Sequence, residues 1–151
     1  MQRKDGGVIY FMKDIAWTKT GTILGSVLEA IGRTPIVKLQ QIPKEYGIRA
    51  DILCKLEFTN PTGSLKDRIY CHMTSRAIEN GELESGMEII EASTGNAGIS
   101  CACVGRILGY KVTVVMPEGM SEERMKMIRA FGAGIITTPG GESDVDLCLT
   151  K

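Results

Sequence analysis

Apolar and polar positions alternate along the chain with two different periods. Short apolar runs predict strands, and apolar positions three or four residues apart predict helices. The predicted strands are Pro35–Leu39, Asp51–Glu57, Met87–Ala92, Lys111–Met116 and Gly134–Thr138. The predicted helices are Ile23–Ile31, Ser64–Asn80, Asn96–Leu108, Ser121–Phe131 and a last one that begins near Ser143. Strands that alternate with helices in this way predict an α/β fold with a mainly parallel sheet and helices on both faces.

The chain divides into two parts by pattern. Residues 1–22 carry little periodicity and are predicted to form an N-terminal extension. Residues 23–151 are predicted to form one domain, and a chain of this length can bury a real core. The last predicted helix is cut off at Lys151, which predicts that the domain is the truncated N-terminal part of a larger fold.

Composition excludes several classes of partner. Lys plus Arg and Asp plus Glu number 18 each, so the formal net charge is zero. Such a balance predicts no binding to nucleic acid or to an anionic membrane, and no run of eighteen apolar residues spans a bilayer. The five cysteines have no metal-ligand spacing with the single His72, which is predicted to lie on the surface. Scattered cysteines on apolar segments predict reduced core thiols in a cytoplasmic protein.

Lys66 occupies an unusual place in the second predicted helix. Ser64 and Asp67 lie three residues apart, close to a capping box, so Lys66 falls in the first turn. It shares one predicted helix face with Ile69, Tyr70, Met73 and Ala77. One interpretation is that the side chain extends its ammonium to water from the helix end. The other is a buried amine used as a nucleophile, because burial and a helix N-terminus both favour its neutral form.

The segment Glu91–Ser100 has the pattern of an anion-binding turn. A predicted strand ends at Ala92 and a helix begins near Asn96, with small residues between them. Backbone N–H groups at the N-terminus of a helix attract anions, and Ser93 and Thr94 add hydroxyl donors. A carboxylate or a phosphate would suit this position, although an ordinary strand-to-helix turn has the same pattern.

Four segments, in order along the chain, resemble one enzyme family. They are IGRTPIVKL (residues 31–39), NPTGSLKDRIY (60–70), EASTGNAGIS (91–100) and MPEGMSEERMKMIRAFGAGIITTPG (116–140). They are similar to the N-terminal signatures of the cysteine synthase and cystathionine β-synthase family. The resemblance implies the tryptophan-synthase-β-like fold, which is fold type II of the pyridoxal-phosphate enzymes.

The resemblance also implies a cofactor and a set of roles. Pyridoxal 5′-phosphate would be attached to Lys66, which would then act as the general base on the α-proton of the substrate. Asn96 would hydrogen-bond the 3′-oxygen of the cofactor. The substrate carboxylate would be held by Ser93, Thr94, Gly95 and Ala97. The implied reaction is β-replacement on serine or an O-activated serine by sulfide or another thiol, which gives cysteine or a related thioether amino acid. The family further implies a homodimer at full length.

The chain departs from the family pattern in ways that leave alternatives open. The turn usually ends in threonine, and Ala97 stands there. The NPTGS spelling also occurs in threonine synthases and serine/threonine dehydratases, so a relative of these enzymes is one alternative. The family places its phosphate-binding glycine loop in a C-terminal domain, and no such loop follows Lys66. A truncated, catalytically inactive remnant is therefore the other alternative.

Overall fold

A computed structural model describes residues 23–150, apart from the side chains of Glu142, Ser143 and Val145. The predicted extension at residues 1–22 and the final Lys151 lie outside the described residues. The strands are β1 Ile36–Lys38, β2 Leu53–Lys55, β3 Glu88–Ala92, β4 Lys111–Pro117 and β5 Gly134–Thr138. The α-helices are α1 Gln41–Glu45, α2 Lys66–Glu79, α3 Asn96–Ile107 and α4 Glu122–Ala130. Short 3-10 helices cover Val27–Ala30, Glu57–Thr59 and Glu142–Thr150.

A parallel sheet of three strands, in the order β3-β4-β5, organises the C-terminal half of the described residues. The predicted boundaries of its strands are correct to within one residue. β4 lies in the centre, and every residue from Val112 to Pro117 is buried. The α/β class with a parallel sheet, predicted from the alternating pattern, is confirmed.

Close packing joins α3 to one face of this sheet. A Cβ atom added at Gly98 would lie 2.8 Å from Cγ1 of Val114, and one added at Gly105 would lie 2.6 Å from Cγ2 of Val112. Real side chains do not approach so closely, so glycine is required at both positions. The small residues of α3 therefore let the helix backbone lie directly on the sheet, and this fixes the position of the turn that precedes it. α4 packs beside α3.

The opposite face of the sheet is covered by the 3-10 helix Glu142–Thr150. Thr138 and Cys148 are in contact there, with 3.3 Å between Oγ1 and Sγ. Helices thus lie on both faces, as the pattern predicts. The cover on this second face is partial, because Ile90 and Ile136 are 67% and 48% exposed. The predicted last helix begins one residue before Ser143 but is irregular, with Asp144 at φ −100° and ψ 24°.

The first two strands do not belong to the parallel sheet. β1 and β2 form a separate antiparallel pair, in which Val37 lies opposite Cys54. The parallel strands from β3 onward are joined through α3 and α4, whereas the β1–β2 connection contains only the five-residue α1. α1 was not predicted, because it is a single turn and carries Pro43. Both strands are exposed along their whole length.

The described residues lack two features. None of their helices is long and apolar enough to cross a membrane. Within residues 23–150 there is also no group of three or more His, Cys, Asp or Glu side chains able to hold a metal ion.

Candidate functional site

An ion-pair network joins the first two signature segments. Arg68 donates from Nε to Glu57 Oε2 at 2.8 Å and from Nη2 to Glu57 Oε1 at 3.1 Å. Thr34 Oγ1 also donates to Glu57 Oε1 at 2.8 Å and accepts from Arg68 Nη2 at 2.9 Å. The Arg68 guanidinium and the Thr34 hydroxyl lower the pKa of the Glu57 carboxyl from 4.5 to about 2. The network fixes the entry to α2 against the segment before β1.

Buried Asn60 closes the same network with backbone groups. Its Oδ1 accepts from the Gly32 N–H at 2.9 Å, and its Nδ2 donates to the Glu57 carbonyl at 2.8 Å. The Gly63 N–H in turn donates to the Asn60 carbonyl at 2.8 Å, and Gly63 has φ +80°. This backbone conformation favours glycine. The NPTG sequence is therefore a tight turn that leads into α2.

Asp67 anchors the first turn of α2 to α3. It is fully buried. Its Oδ2 accepts from the Thr62 N–H at 2.8 Å, and its Oδ1 accepts from the hydroxyls of Thr62 and Ser100, the latter at 2.6 Å. Ser64 lies one residue before the N-cap residue, Leu65, so its predicted N-cap position is wrong by one residue, although its Oγ accepts from the Lys66 N–H at 3.1 Å. The predicted capping box is wrong, because Asp67 reaches back to Thr62 rather than to Ser64.

The face of α2 that meets the core agrees with the predicted one at Tyr70 and differs from it elsewhere. The buried residues are Asp67, Tyr70 and Thr74. Ile69 and Met73, which were predicted to share a core face with Lys66, are 38% and 55% exposed. The helix is rotated because the hydrogen bonds of Asp67 satisfy its carboxylate inside the protein. A hydrophobic pattern cannot reveal a buried polar residue of this kind.

Lys66 is half-buried and stands apart from its two charged neighbours. Asp67 and Arg68 are both engaged in the surrounding hydrogen bonds and ion pair. The Lys66 Nζ makes no hydrogen bond or ion pair with any of the described residues 23–150. The contacts of these two neighbours hold the Lys66 backbone in place, and the Lys66 amine can bind a ligand.

The turn after β3 is built by Ser93. Its Oγ accepts from the N–H groups of Gly95 at 3.1 Å and of Gly98 at 2.8 Å. Within the described part of the chain, the N–H groups of Thr94, Asn96 and Ala97 make no hydrogen bond. They lie at the N-terminus of α3, whose dipole attracts negative charge. The turn can therefore offer three backbone donors to an anion, while the Ser93 hydroxyl shapes the turn from inside.

Sequence reasoning did not identify Arg124 in α4 as part of this turn. Its Nη1 donates to the Thr94 carbonyl at 2.9 Å. A Cβ added at Gly95 would lie 3.2 Å from the Arg124 Nε, so the guanidinium packs directly on the glycine. Thirty residues separate Arg124 from Thr94, and no local spacing in the sequence predicts the contact.

The other chemically reactive side chains lie elsewhere. His72 is exposed, as predicted. Burial raises the pKa of the Cys101 thiol to about 12 and that of Cys103 to about 11, so both are inert core thiols. The prediction of core thiols fails for Cys54, which is exposed. A groove of about 350 Å³ between α2 and β3 is lined by residues such as Tyr70, Met73 and Ile90, and no predicted site residue lines it.

One buried hydrogen bond links the segment that carries Lys66 to the helix that follows the turn. Asp67 follows Lys66, and its partner Ser100 lies one helical turn after Asn96. A lysine amine thus lies on one element, and a set of backbone N–H donors lies on its neighbour. This combination suits an aldehyde cofactor and an anionic substrate group.

The family described as "Pyridoxal-phosphate dependent enzyme" matches residues 27–149 of the chain. The chain belongs to this family. The cofactor of this family is pyridoxal phosphate, as predicted from the signature segments.

Relatives of known identity agree with this assignment. Cystathionine beta-synthase of Apis mellifera is 48% identical over 125 residues, which are 81% of this chain and 25% of that protein. Cysteine synthase of Staphylococcus aureus (strain N315) is 42% identical over 118 residues, which are 78% of this chain and 37% of that protein. The predicted similarity to these two enzymes is confirmed.

Solved structures confirm fold type II for this part of the fold. O-Acetyl Serine Sulfhydrylase isoform 3 from Entamoeba histolytica superposes with a TM-score of 0.82 at 38% identity, over 90% of this chain and 41% of that one. O-ureido-L-serine synthase superposes with a TM-score of 0.75 at 38% identity, over 83% and 40%. The chain thus spans less than half the length of these relatives.

Proposed function

We propose that this chain is the cofactor-attaching half of a pyridoxal-phosphate enzyme that carries out β-replacement on serine or an O-activated serine. Sulfide or another thiol would be the second substrate, and cysteine or a related thioether amino acid the product. The observation that carries the proposal is the half-buried Lys66, whose amine has no partner among the described residues while Asp67 and Arg68 fix its backbone.

The residues of the site fit the cofactor. Lys66 supplies a primary amine for covalent attachment, and Asn96, at the start of α3, supplies an amide for the 3′-oxygen. When bound, pyridoxal phosphate supplies an aldehyde and a conjugated ring that takes up the electrons released at the substrate α-carbon. The protein has to hold the ring, the amine and the substrate in register.

The chain's own groups then have separate tasks. The Lys66 Nζ would hold the cofactor and, once released from it, would accept the α-proton of the substrate. The N–H groups of Thr94, Asn96 and Ala97 bind the α-carboxylate at the positive end of α3. Ser93 and Gly95 support the turn, Ser93 through its hydroxyl and Gly95 by accepting the Arg124 side chain against it. Ala97 offers no hydroxyl, so the carboxylate relies more on backbone donors and on Thr94.

The thiol and the serine derivative that the enzyme uses are the most specific points of this proposal. The names of the solved neighbours include both an O-acetylserine enzyme and an O-ureido-L-serine enzyme, which share the serine backbone and differ at the leaving group. We therefore expect the turn to recognise the common α-carboxylate, and not the leaving group.

A second candidate is favoured by the exposed apolar surfaces. Ile36 and Leu53 on the β1–β2 pair are 61% and 62% exposed, and Ile90 is 67% exposed. Patches of this kind indicate missing partners. On this account the 151-residue chain alone binds pyridoxal phosphate weakly or not at all and is inactive. Homodimerisation and a cytoplasmic location stay predictions for the complete protein.

The test uses a chimera in which residues 23–150 replace the matching part of the Staphylococcus aureus cysteine synthase. Lys66→Ala should remove the visible absorbance of the attached cofactor and nearly all turnover, because no other amine occupies that place. Lys126→Ala, which removes an exposed lysine of α4, is the matched control and should leave both unchanged. Retention of absorbance and activity by Lys66→Ala would show that Lys66 does not carry the cofactor.

A further inference from the structure

Asp67 is the only charged side chain that is buried among those the structure describes. All three of its hydrogen bonds come from uncharged donors, the Thr62 N–H and the hydroxyls of Thr62 and Ser100. The two hydroxyls also lie 3.2 Å apart. A buried carboxylate costs free energy unless its oxygens are satisfied, so these contacts have to be maintained together.

The partners of Asp67 lie on two different elements. Thr62 belongs to the turn that precedes Lys66, and Asp67 follows Lys66 in the first turn of α2. Ser100 lies in α3, four residues after Asn96, and therefore on the same side of that helix. The carboxylate thus bridges the two sides of Lys66 to the helix whose N-terminus forms the turn at residues 93–97.

We infer that Asp67 is a positioning residue that holds the Lys66 backbone and the turn at residues 93–97 in one fixed frame. The inference rests on the proposed function, because it assigns this frame to the amine and to the anion-binding donors. A carboxylate suits the task because it accepts from all three donors at once. Asp67 itself does not touch the substrate or the cofactor in this account.

The experiment measures amide hydrogen exchange by NMR in the 151-residue chain without cofactor. Asp67→Ala should speed the exchange of the Gly95 and Gly98 amides by about tenfold or more relative to amides in the centre of β4, since a lost buried hydrogen bond to a charged group costs at least that factor. Ser100→Ala should speed Gly95 and Gly98 in the same way, yet leave the Thr62 amide protected, because the Asp67–Thr62 bond remains.

Two further variants separate positioning from general stabilisation. Asp67→Asn can accept from the Thr62 N–H and donate to both hydroxyls, so it should restore protection at Gly95 and Gly98. Asp144→Ala removes a carboxylate that accepts from the Gly141 N–H at 2.8 Å and should not affect the turn.

The inference is overturned if Ser100→Ala leaves Gly95 and Gly98 as protected as in the wild type. It is also overturned if Asp67→Ala speeds exchange equally at the turn and in β4, or if Asp67→Asn fails to restore the turn. Should Asp67→Ala not fold, Ser100→Ala decides. The exchange experiment contains no cofactor. If it contradicted the role of Asp67, the proposal that Lys66 carries the cofactor would still stand. If that proposal were wrong, the measured coupling between Asp67 and the turn would still stand.

Discussion

The two halves of the candidate site are held by different kinds of interaction. Around Lys66 the framework consists of charged side chains, with Glu57 paired to Arg68 and Asp67 buried in hydrogen bonds. Around the turn at residues 93–97 the framework consists of a serine hydroxyl and of glycines that permit close approach. In the first region the Lys66 amine is left available, and in the second the backbone N–H groups are left available.

The difference follows from what each region has to present. A lysine amine can approach a ligand only if neighbouring carboxylates do not pair with it, and both acids of this framework, Glu57 and Asp67, are engaged with other groups. Backbone donors can approach a ligand only if no side chain stands in front of them, and small residues meet that condition. In the first region the carboxylates are therefore bound to other groups of the protein, and in the second the side chains are small, so that neither region blocks the atoms that would meet a ligand.

The largest expected effect concerns the close packing that supports the turn at residues 93–97. Gly98→Ala should destabilise the fold by about 1–3 kcal/mol, because its new Cβ would lie 2.8 Å from Val114 and 3.2 Å from the Cβ of Ser93. Gly105→Ala, with its Cβ 2.6 Å from Val112, is the matched control and should cost a similar amount. Urea unfolding measures both. Only Gly98→Ala should also shift the NMR signals of the turn, and equal shifts from both variants would contradict a local role.

A smaller effect should separate substrate binding from cofactor binding in the chimera. Losing the Thr94 hydroxyl should weaken substrate binding by roughly tenfold, which corresponds to ~1.4 kcal/mol, and leave the resting cofactor spectrum unchanged. Asn96→Ala should shift that spectrum, because it removes the partner of the 3′-oxygen. Ala97→Thr should tighten substrate binding by adding a hydroxyl. A spectral change from Thr94→Ala with none from Asn96→Ala would mean that the turn faces the other way.

The smallest effect concerns acid stability of the first region. Because Arg68 and Thr34 lower the pKa of Glu57 from 4.5 to about 2, its contribution to stability is present above pH 4.5 and is lost as the pH falls towards 2. The free energy of unfolding should therefore fall less steeply over this range in Glu57→Gln than in the wild type. Glu79→Gln, which removes an exposed pair with Arg76, is the control and should follow the wild type. Identical slopes for all three proteins would count against the pairing.

The alternating pattern was sufficient to predict the parallel sheet, α3 and α4, because short apolar runs separated by segments of helical length mark the strands and their connecting helices. It was not sufficient for the orientation of α2, since the buried face there begins with Asp67. Charge satisfied by hydrogen bonds leaves no apolar signal. The pattern also could not assign β1 and β2 to their own antiparallel pair, because pairing depends on contacts between distant segments.

The residues of the candidate site were predictable from the sequence, whereas the contacts that support them were not. Lys66 and the turn at residues 93–97 follow from motifs in the sequence, and the structure describes both. The support from Arg124 at Thr94 and from Ser100 at Asp67 depends on helices that are far apart in the chain. Such contacts exist only after folding, so residue spacing carries no trace of them.

The most direct test of the account is to locate the lysine that pyridoxal phosphate modifies in the 151-residue chain. The chain is incubated with an excess of pyridoxal phosphate and reduced with borohydride, and the modified lysine is identified by mass spectrometry of its peptides. We expect Lys66 to be modified in preference to the exposed lysines Lys38, Lys111 and Lys126, even if the chain binds pyridoxal phosphate weakly. Modification spread evenly over the exposed lysines, with Lys66 unmodified, would contradict it.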